Sequence, residues 1–134
     1  FFFIFRNPLD VMISLIQYTT KENILKYNNY SISSSDILAK NKFFVKKHIN
    51  NYCIFHKKFI SNKYKNITLL NYSSAIKKLK KLYNIKKNII FNKKNYKLHS
   101  TTNSQITKKI LTSNYNFKDA QKIFDELSNL SKKD

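Results

Sequence analysis

One arginine stands where an apolar run meets an amphipathic segment. Arg6 directly follows the run Phe1-Phe2-Phe3-Ile4-Phe5 and precedes Asn7-Pro8, and proline suits the first turn of a helix. A guanidinium can donate two N–H groups to one phosphate. Ligands in open α/β sheets bind at the carboxyl ends of strands, where helix N-termini offer N–H donors to anions. This junction therefore predicts an anion site, with phosphate as the expected anion.

A polar stripe runs down the segment that follows. Asp10, Ser14, Gln17 and Lys21 recur at spacings of four, three and four residues among otherwise apolar neighbours. Side chains three or four residues apart share one face of a helix. The stripe must therefore face either solvent or a ligand.

The residues from Arg6 to Ser14 read Arg-Asn-Pro-x-Asp-Val-x-x-Ser after an apolar strand. This pattern resembles the 3′-phosphate-binding motif of the sulfotransferases that use 3′-phosphoadenosine-5′-phosphosulfate (PAPS). The resemblance implies that Arg6 and Ser14 hold the 3′-phosphate of that cofactor. An ordinary helix start, with a surface arginine and a helical serine, is the plainer interpretation of the same residues.

Two later stretches are similar to other parts of that family, closest to its bacterial and tyrosylprotein-sulfotransferase-like members. Tyr64–Tyr72, followed by Ser73–Ile85, resembles an apolar strand that ends in Tyr-Glu-Asp-Leu and the helix after it, with Ser73 and Ser74 in place of the acidic pair. His99–Ile110 is similar to a loop of the pattern Thr-Ala-Ser-x-x-Gln-Val-Arg-x-Pro-Ile, with Thr107 in place of the arginine. The resemblance implies that Tyr72, Ser100, Thr101 and Thr102 line the nucleotide.

The resemblance covers nearly the whole chain but only the C-terminal half of the family's domain. It implies that residues 1–134 are one part of a P-loop-like parallel-sheet domain, with the 5′-phosphosulfate loop and the catalytic base in sequence before Phe1. The chain contains no glycine with which to build such a loop. We therefore expect a nucleotide-binding part that transfers no sulfuryl group alone, and an acceptor hydroxyl or amine that the sequence does not identify.

The order of elements favours an α/β fold with a parallel sheet and many helices. Apolar and β-branched runs predict strands, and apolar residues at helical spacing predict helices. Residues 20–34 are polar and predict a connection, and residues 92–116, polar and mixed, predict a long functional or surface segment. The predicted strands are Phe1–Phe5, Ile67–Leu70 and a weak one at Asn88–Phe91; the predicted helices are Pro8–Thr19, Ser35 or Asp36 to Ile60, Ser73–Leu82 and Lys118–Leu130.

The charge of the chain suggests a second class of function. The net charge is +19, and polybasic surfaces bind nucleic-acid phosphates by counterion release. Arg6 is the only arginine among 26 basic residues, whereas proteins that bind phosphates and bases favour the bidentate guanidinium group of arginine. The lysine, asparagine and isoleucine content is also typical of an AT-rich genome. A small lysine-rich RNA-binding protein, such as an organellar ribosomal component, is the alternative to the enzyme.

Metal, disulfide and membrane chemistry find little support in the sequence. Cys53 is the only cysteine, so an intrachain disulfide is impossible and a reducing compartment, the cytoplasm, is the easier fit. Cys53 and His56 could share a helical face, but zinc needs four ligands, which the chain does not easily supply. No apolar stretch has the length of a membrane span. Tandem lysines such as Lys77-Lys78 are typical of a solvated face, and an anionic acceptor such as a sulfated glycan or an acidic peptide is the alternative partner for them.

Overall fold

The computed structural model describes residues 1–27, 35–61, 66–75, 77 and 102–132. Two parallel strands, β1 (Phe2–Phe5) and β2 (Thr68–Asn71), pair in the register Phe2↔Thr68 to Phe5↔Asn71. Parallel strands need a long crossover, which here includes α1 (Pro8–Tyr27), α2 (Ser35–Lys40) and α3 (Lys42–Ile60). After β2, residues 72–75 are helical, and α4 (Thr102–Asn114) and α5 (Lys118–Leu130) complete the described chain.

The protein is mostly helical with a small parallel sheet, which agrees with the α/β expectation at a coarse level. One core cluster joins the sheet to α3 and α5, and a second joins α1 to α2, α3 and α4. The buried members of the first are Phe5, Tyr52, Leu69, Ala120, Ile123 and Leu127, and those of the second are Met12, Ile13, Ile16, Ala39, Val45 and Leu111.

The strand β1 is buried on one face only, although all four of its residues are apolar. Phe5 is buried, and Phe3 stacks on Phe59 of α3 at 3.7 Å between ring centroids. Successive side chains of a strand point to opposite faces, and Phe2 and Ile4, on the other face, are 40% and 45% exposed. The two-strand sheet thus has its helices α3 and α5 on a single side in the described chain.

Helix α1 extends past the predicted end near Thr19 to Tyr27. The polar residues there do not stop the helix, because a threonine hydroxyl can bond back to the carbonyl four residues earlier. Thr20 does so: it is buried, and its hydroxyl donates to the Ile16 carbonyl at 2.7 Å. The prediction of a connection over residues 20–34 is therefore wrong over its first part.

The long helix predicted from Ser35 or Asp36 to Ile60 is two helices. Asn41 separates them with an extended backbone (φ −72°, ψ 99°), and its Oδ1 accepts the N–H of Phe44 at 3.0 Å. Asparagine is among the best N-cap residues because its short side chain satisfies an N–H of the first turn. The cap starts α3 anew, and α3 then ends at Ile60 as predicted.

Helix α4 lies inside residues 92–116, for which the sequence predicted a long functional or surface segment and no helix. Thr107 and Leu111 of this helix are both fully buried, but only Leu111 is apolar. A face of this kind gives a weak periodic signal. By contrast, α5 is confirmed over Lys118–Leu130, and its predicted apolar residues Ala120, Ile123 and Leu127 are buried. The predicted strand Ile67–Leu70 is confirmed with a shift of one residue.

The remaining predicted elements lie mostly outside the described residues. The helix predicted over Ser73–Leu82 is seen in residues 72–75 and 77, and the strand predicted at Asn88–Phe91 falls outside the described part. In the described ranges, no helix combines the length and the apolar character needed to cross a membrane.

Candidate anion site at the strand ends

Two of the predicted site residues follow directly on the two paired strands. Phe5 and Asn71 are register partners at the ends of β1 and β2, so Arg6 and Tyr72 come next at the same edge of the sheet. The carboxyl-terminal edge of a parallel sheet is the usual place for a ligand in α/β folds. There the guanidinium carbon of Arg6 lies 4.9 Å from the centroid of the Tyr72 ring.

Ser14 completes the group. The Nη1 of Arg6 donates to the Ser14 hydroxyl oxygen at 3.1 Å, in a partly buried position. Ser14 lies on the second turn of α1 and therefore above its start, where Arg6 stands. The two guanidinium contacts that the structure describes, with a hydroxyl and with an aromatic ring, are with neutral groups, and no ion pair among the described residues compensates its charge. Such a cation, with a hydroxyl beside it, can bind an anionic oxygen.

A tyrosine of α3 holds the main chain of Arg6 in place by a hydrogen bond. The Tyr52 hydroxyl donates to the Arg6 carbonyl at 2.8 Å. The Tyr52 ring is stacked on His56 with 3.8 Å between centroids, and the His56 Nδ1 lies 2.8 Å from the Tyr52 carbonyl oxygen. Burial raises the pKa of Tyr52 and lowers that of His56, so both groups are held neutral near pH 7. This neutral pair positions the residue that would hold the anion.

Asn7 fixes the start of α1 and changes one expectation. Its Oδ1 accepts the N–H of Leu9 at 2.9 Å, and its Nδ2 donates to Gln121 of α5 at 3.2 Å. Pro8 has no N–H at all. The first two helical positions therefore offer no free donor to an anion, so fewer N–H groups are open at this helix start than expected. An anion here would rely mainly on the Arg6 and Ser14 side chains.

The predicted polar stripe divides into two parts. Asp10 is exposed, whereas Ser14 and Gln17 are half-buried; the Lys21 side chain lies outside the described part. Asp10 stands in the first turn of α1, where a carboxylate is stabilised by the helix dipole. The stripe thus faces solvent at Asp10 and faces Arg6 at Ser14.

Asn71 organises the second strand end. Its Oδ1 accepts both the N–H and the hydroxyl of Ser73, and its carbonyl accepts the Ser74 hydroxyl. Asn71 therefore caps the helical residues after β2, and Ser73 and Ser74 both donate to it. Tyr72, between Asn71 and Ser73, is 44% exposed, which leaves its ring accessible beside Arg6.

The structure brings together three of the six predicted site residues: Arg6, Ser14 and Tyr72. Ser100 and Thr101 lie outside the described residues. Thr102 is the first residue of α4, and its side chain is also outside the described part. The predicted nucleotide-lining role of the Ser100–Thr102 segment stays a prediction.

Cys53 and His56 have no further metal ligand beside them among the residues that the structure describes. Within the described ranges, no three His, Cys, Asp or Glu side chains converge as metal ligands would. Cys53 packs against the core between α3 and α5, and burial raises the pKa of its thiol. A reactive or metal-binding thiol needs the opposite shift.

Tyr52 and Gln121 are the site residues that the sequence did not reveal. Tyr52 has the period of a core residue of α3, and only the fold shows that its hydroxyl reaches Arg6 across 46 positions of sequence. Gln121 is a polar residue of an amphipathic helix whose contact with Asn7 spans 114 positions. No local pattern carries such information.

A separate cavity of about 240 Å³ lies between α1 and α3. Met12, Leu15, His48, Tyr52 and His56 are among its lining residues, and neither Arg6 nor Ser14 is. Tyr52, which bonds to Arg6, thus borders this cavity, but the cavity is a space distinct from the cluster of Arg6, Ser14 and Tyr72, which we call the strand-end group.

Comparison with known proteins finds no family model, no curated protein and no solved structure that matches this chain.

Proposed function

We propose that this chain binds the nucleotide end of PAPS, as part of a P-loop-like sulfotransferase domain that transfers a sulfuryl group to a hydroxyl or amine acceptor. The observation that carries the proposal is the hydrogen bond of 3.1 Å from Arg6 to Ser14, beside the carboxyl ends of two parallel strands. When bound, the cofactor supplies an activated sulfuryl group, and the residues of this chain hold the other end of the molecule.

The chemistry of the three clustered residues fits a ribose 3′-phosphate. Arg6 has a planar array of N–H donors, and only one of its nitrogens is engaged by Ser14. The remaining donors can bind two oxygens of one phosphate while the Ser14 hydroxyl turns its proton toward a third. The Tyr72 ring holds the guanidinium from the side by a cation–π contact.

The resemblance supplies the identity of the phosphate, and the geometry supports it independently. In the Arg-Asn-Pro-x-Asp-Val-x-x-Ser pattern, the first and last residues are separated by two turns of helix, and in the fold these two side chains touch. A surface arginine and an unrelated helical serine have no need to meet. We further propose that Ser100, Thr101 and Thr102 line the same nucleotide, and that the catalytic base is supplied from outside residues 1–134.

Nucleotide binding to the purified chain tests the proposal. Isothermal titration calorimetry would compare adenosine 3′,5′-bisphosphate with adenosine 5′-monophosphate, which lacks only the 3′-phosphate. The bisphosphate should bind more tightly by about 10- to 100-fold, because hydrogen bonds to charged groups contribute about 1.5–3 kcal/mol. Equal affinity for the two nucleotides, or no binding of either, would contradict the proposal.

Substitutions then locate the phosphate. Arg6→Gln should abolish the preference for the bisphosphate, and Arg6→Lys should restore only part of it because lysine keeps the charge without the fork. Lys108→Gln removes the same charge from an exposed position on α4 and is the matched control. An equal loss in the Lys108 and Arg6 variants would show that general positive charge, not this site, attracts the nucleotide.

A further inference from the structure

The outward side of α3 carries an ordered set of charges. Lys46 and Lys57 form one row and Lys47 and Lys58 another, and the members of each row are about three helical turns apart. Between the rows lies a ridge made of Phe43, Asn50 and Ile54. All seven residues are exposed, and we call them together the α3 outer face.

No acidic residue of α3 opposes the charge of the α3 outer face, and the acidic group near its edge is Asp119 of α5, which lies close to Cys53. No acidic residue occurs between Asp36 and Asp119, although most of the 26 basic residues lie in that interval. Helix α3 itself contains no acidic residue with which its lysines could pair at helical spacing. Four like charges held on one rigid face create a positive potential that attracts a polyanion.

The ridge adds an aromatic contact to this charge. Phe43 is 79% exposed, and the Lys47 ammonium lies 6.0 Å from its ring centroid. Surfaces that bind single-stranded nucleic acids combine cationic tracks for the backbone with exposed aromatic rings on which bases stack. The α3 outer face has both features along about four turns of one helix.

We propose that the α3 outer face binds single-stranded RNA, with the four lysines on the phosphates and a base stacked on Phe43. An anionic membrane is the less suitable partner, because helices that lie in a bilayer surface need a broad apolar face. Here Phe43 and Ile54 are separated by Asn50, and the lysine rows leave only a narrow ridge. This surface is separate from the strand-end group and does not depend on the nucleotide hypothesis.

Fluorescence anisotropy with a labelled oligouridylate and the full chain tests this surface. The quadruple variant Lys46→Gln, Lys47→Gln, Lys57→Gln and Lys58→Gln should lose most of the affinity. For single strands the slope of log K against log salt is about −0.7 for each neutralised phosphate. The four substitutions should therefore make the slope less steep by about 3.

A matched quadruple variant separates a site from diffuse charge. Lys108, Lys109, Lys118 and Lys122 are exposed on α4 and α5, and their replacement by glutamine gives the same net charge. This control should retain most of the affinity and nearly the full slope. If both quadruple variants weaken binding equally, the attraction is unspecific and the proposal is wrong. Circular dichroism of both variants checks that they remain folded.

Two further measurements test the stacking and the choice of partner. Phe43→Ala should weaken oligouridylate binding at least about fivefold without changing the salt slope, since base stacking is not ionic. Phe43→Tyr keeps an aromatic ring and should restore the affinity. Binding to vesicles that contain phosphatidylserine, without binding to oligouridylate, would overturn the RNA proposal in favour of a membrane.

Discussion

The Arg6 guanidinium lies over the ring of Tyr72, with 4.9 Å from its central carbon to the ring centroid, although 66 positions of sequence separate the two residues. The parallel register causes this proximity, because each residue directly follows one of the partners Phe5 and Asn71. One aromatic ring therefore limits where the guanidinium can turn. The hydrogen bond to Ser14 limits it from the other side.

The Tyr72 ring, rather than its hydroxyl, should support nucleotide binding. Tyr72→Phe keeps the cation–π contact and should bind adenosine 3′,5′-bisphosphate with nearly unchanged affinity. Tyr72→Ala removes the ring and should weaken binding about two- to fivefold, as an exposed cation–π contact contributes about 0.5–1 kcal/mol. Calorimetric titration measures both. If Phe and Ala weaken binding equally, the hydroxyl touches the ligand and the role assigned to the ring is wrong.

Tyr52→Phe should destabilise the fold although it removes a single oxygen atom. The Arg6 carbonyl would lose its 2.8 Å hydrogen bond in a partly buried place, and leaving such a group unsatisfied costs about 1–3 kcal/mol. Urea unfolding followed by circular dichroism measures the loss. Tyr72→Phe, which deletes an exposed hydroxyl, is the control and should change the free energy of unfolding by less than about 0.5 kcal/mol. Equal effects of the two changes would argue against the anchoring role of Tyr52.

The sequence predicted the elements that have strong local signals and missed those that tertiary contacts decide. Pro8 and the apolar run before it marked the junction of β1 and α1, and the spacing of Ala120, Ile123 and Leu127 marked α5. Helix α4 was missed because a buried threonine takes one of its core positions. The interruption at Asn41 was missed because asparagine is tolerated within helices and also caps them.

The residues of the candidate site also divide into those that a local pattern indicates and those that only tertiary contacts reveal. Arg6 and Ser14 share one local motif, and their contact follows from helical geometry once the motif is noticed. Tyr72 required the register of two strands distant in sequence. Tyr52 and Gln121 act from other helices on Arg6 and Asn7, and their roles depend on how α3 and α5 pack, which no local pattern specifies.

Thr107→Val should stabilise the protein. Thr107 is fully buried in α4, and its hydroxyl has no hydrogen-bond partner in the described structure. Replacing this hydroxyl by a methyl group removes the desolvation penalty of an unsatisfied polar atom, so we expect a gain of about 1 kcal/mol in the free energy of unfolding. Thr20→Val is the matched control, because Thr20 is also buried but donates to the Ile16 carbonyl. A loss of stability in the Thr107 variant would mean that its hydroxyl has a partner in solution.

Acid should destabilise the fold through His56. Burial lowers the pKa of His56 below its ordinary value of 6.5, so the unfolded chain binds a proton more readily than the folded one. Stability is then fully present above pH 6.5 and falls as the pH drops through that value toward the lower folded pKa. His56→Phe keeps an aromatic ring against Tyr52 and Phe3 and should flatten the decline in melting temperature between pH 7.5 and about pH 5. His48, whose pKa burial also lowers, should leave a residual slope that His48→Phe removes. A His56→Phe variant with the full acid sensitivity of the parent would show that the ring titrates freely in the folded chain and that its stacking on Tyr52 does not hold it neutral.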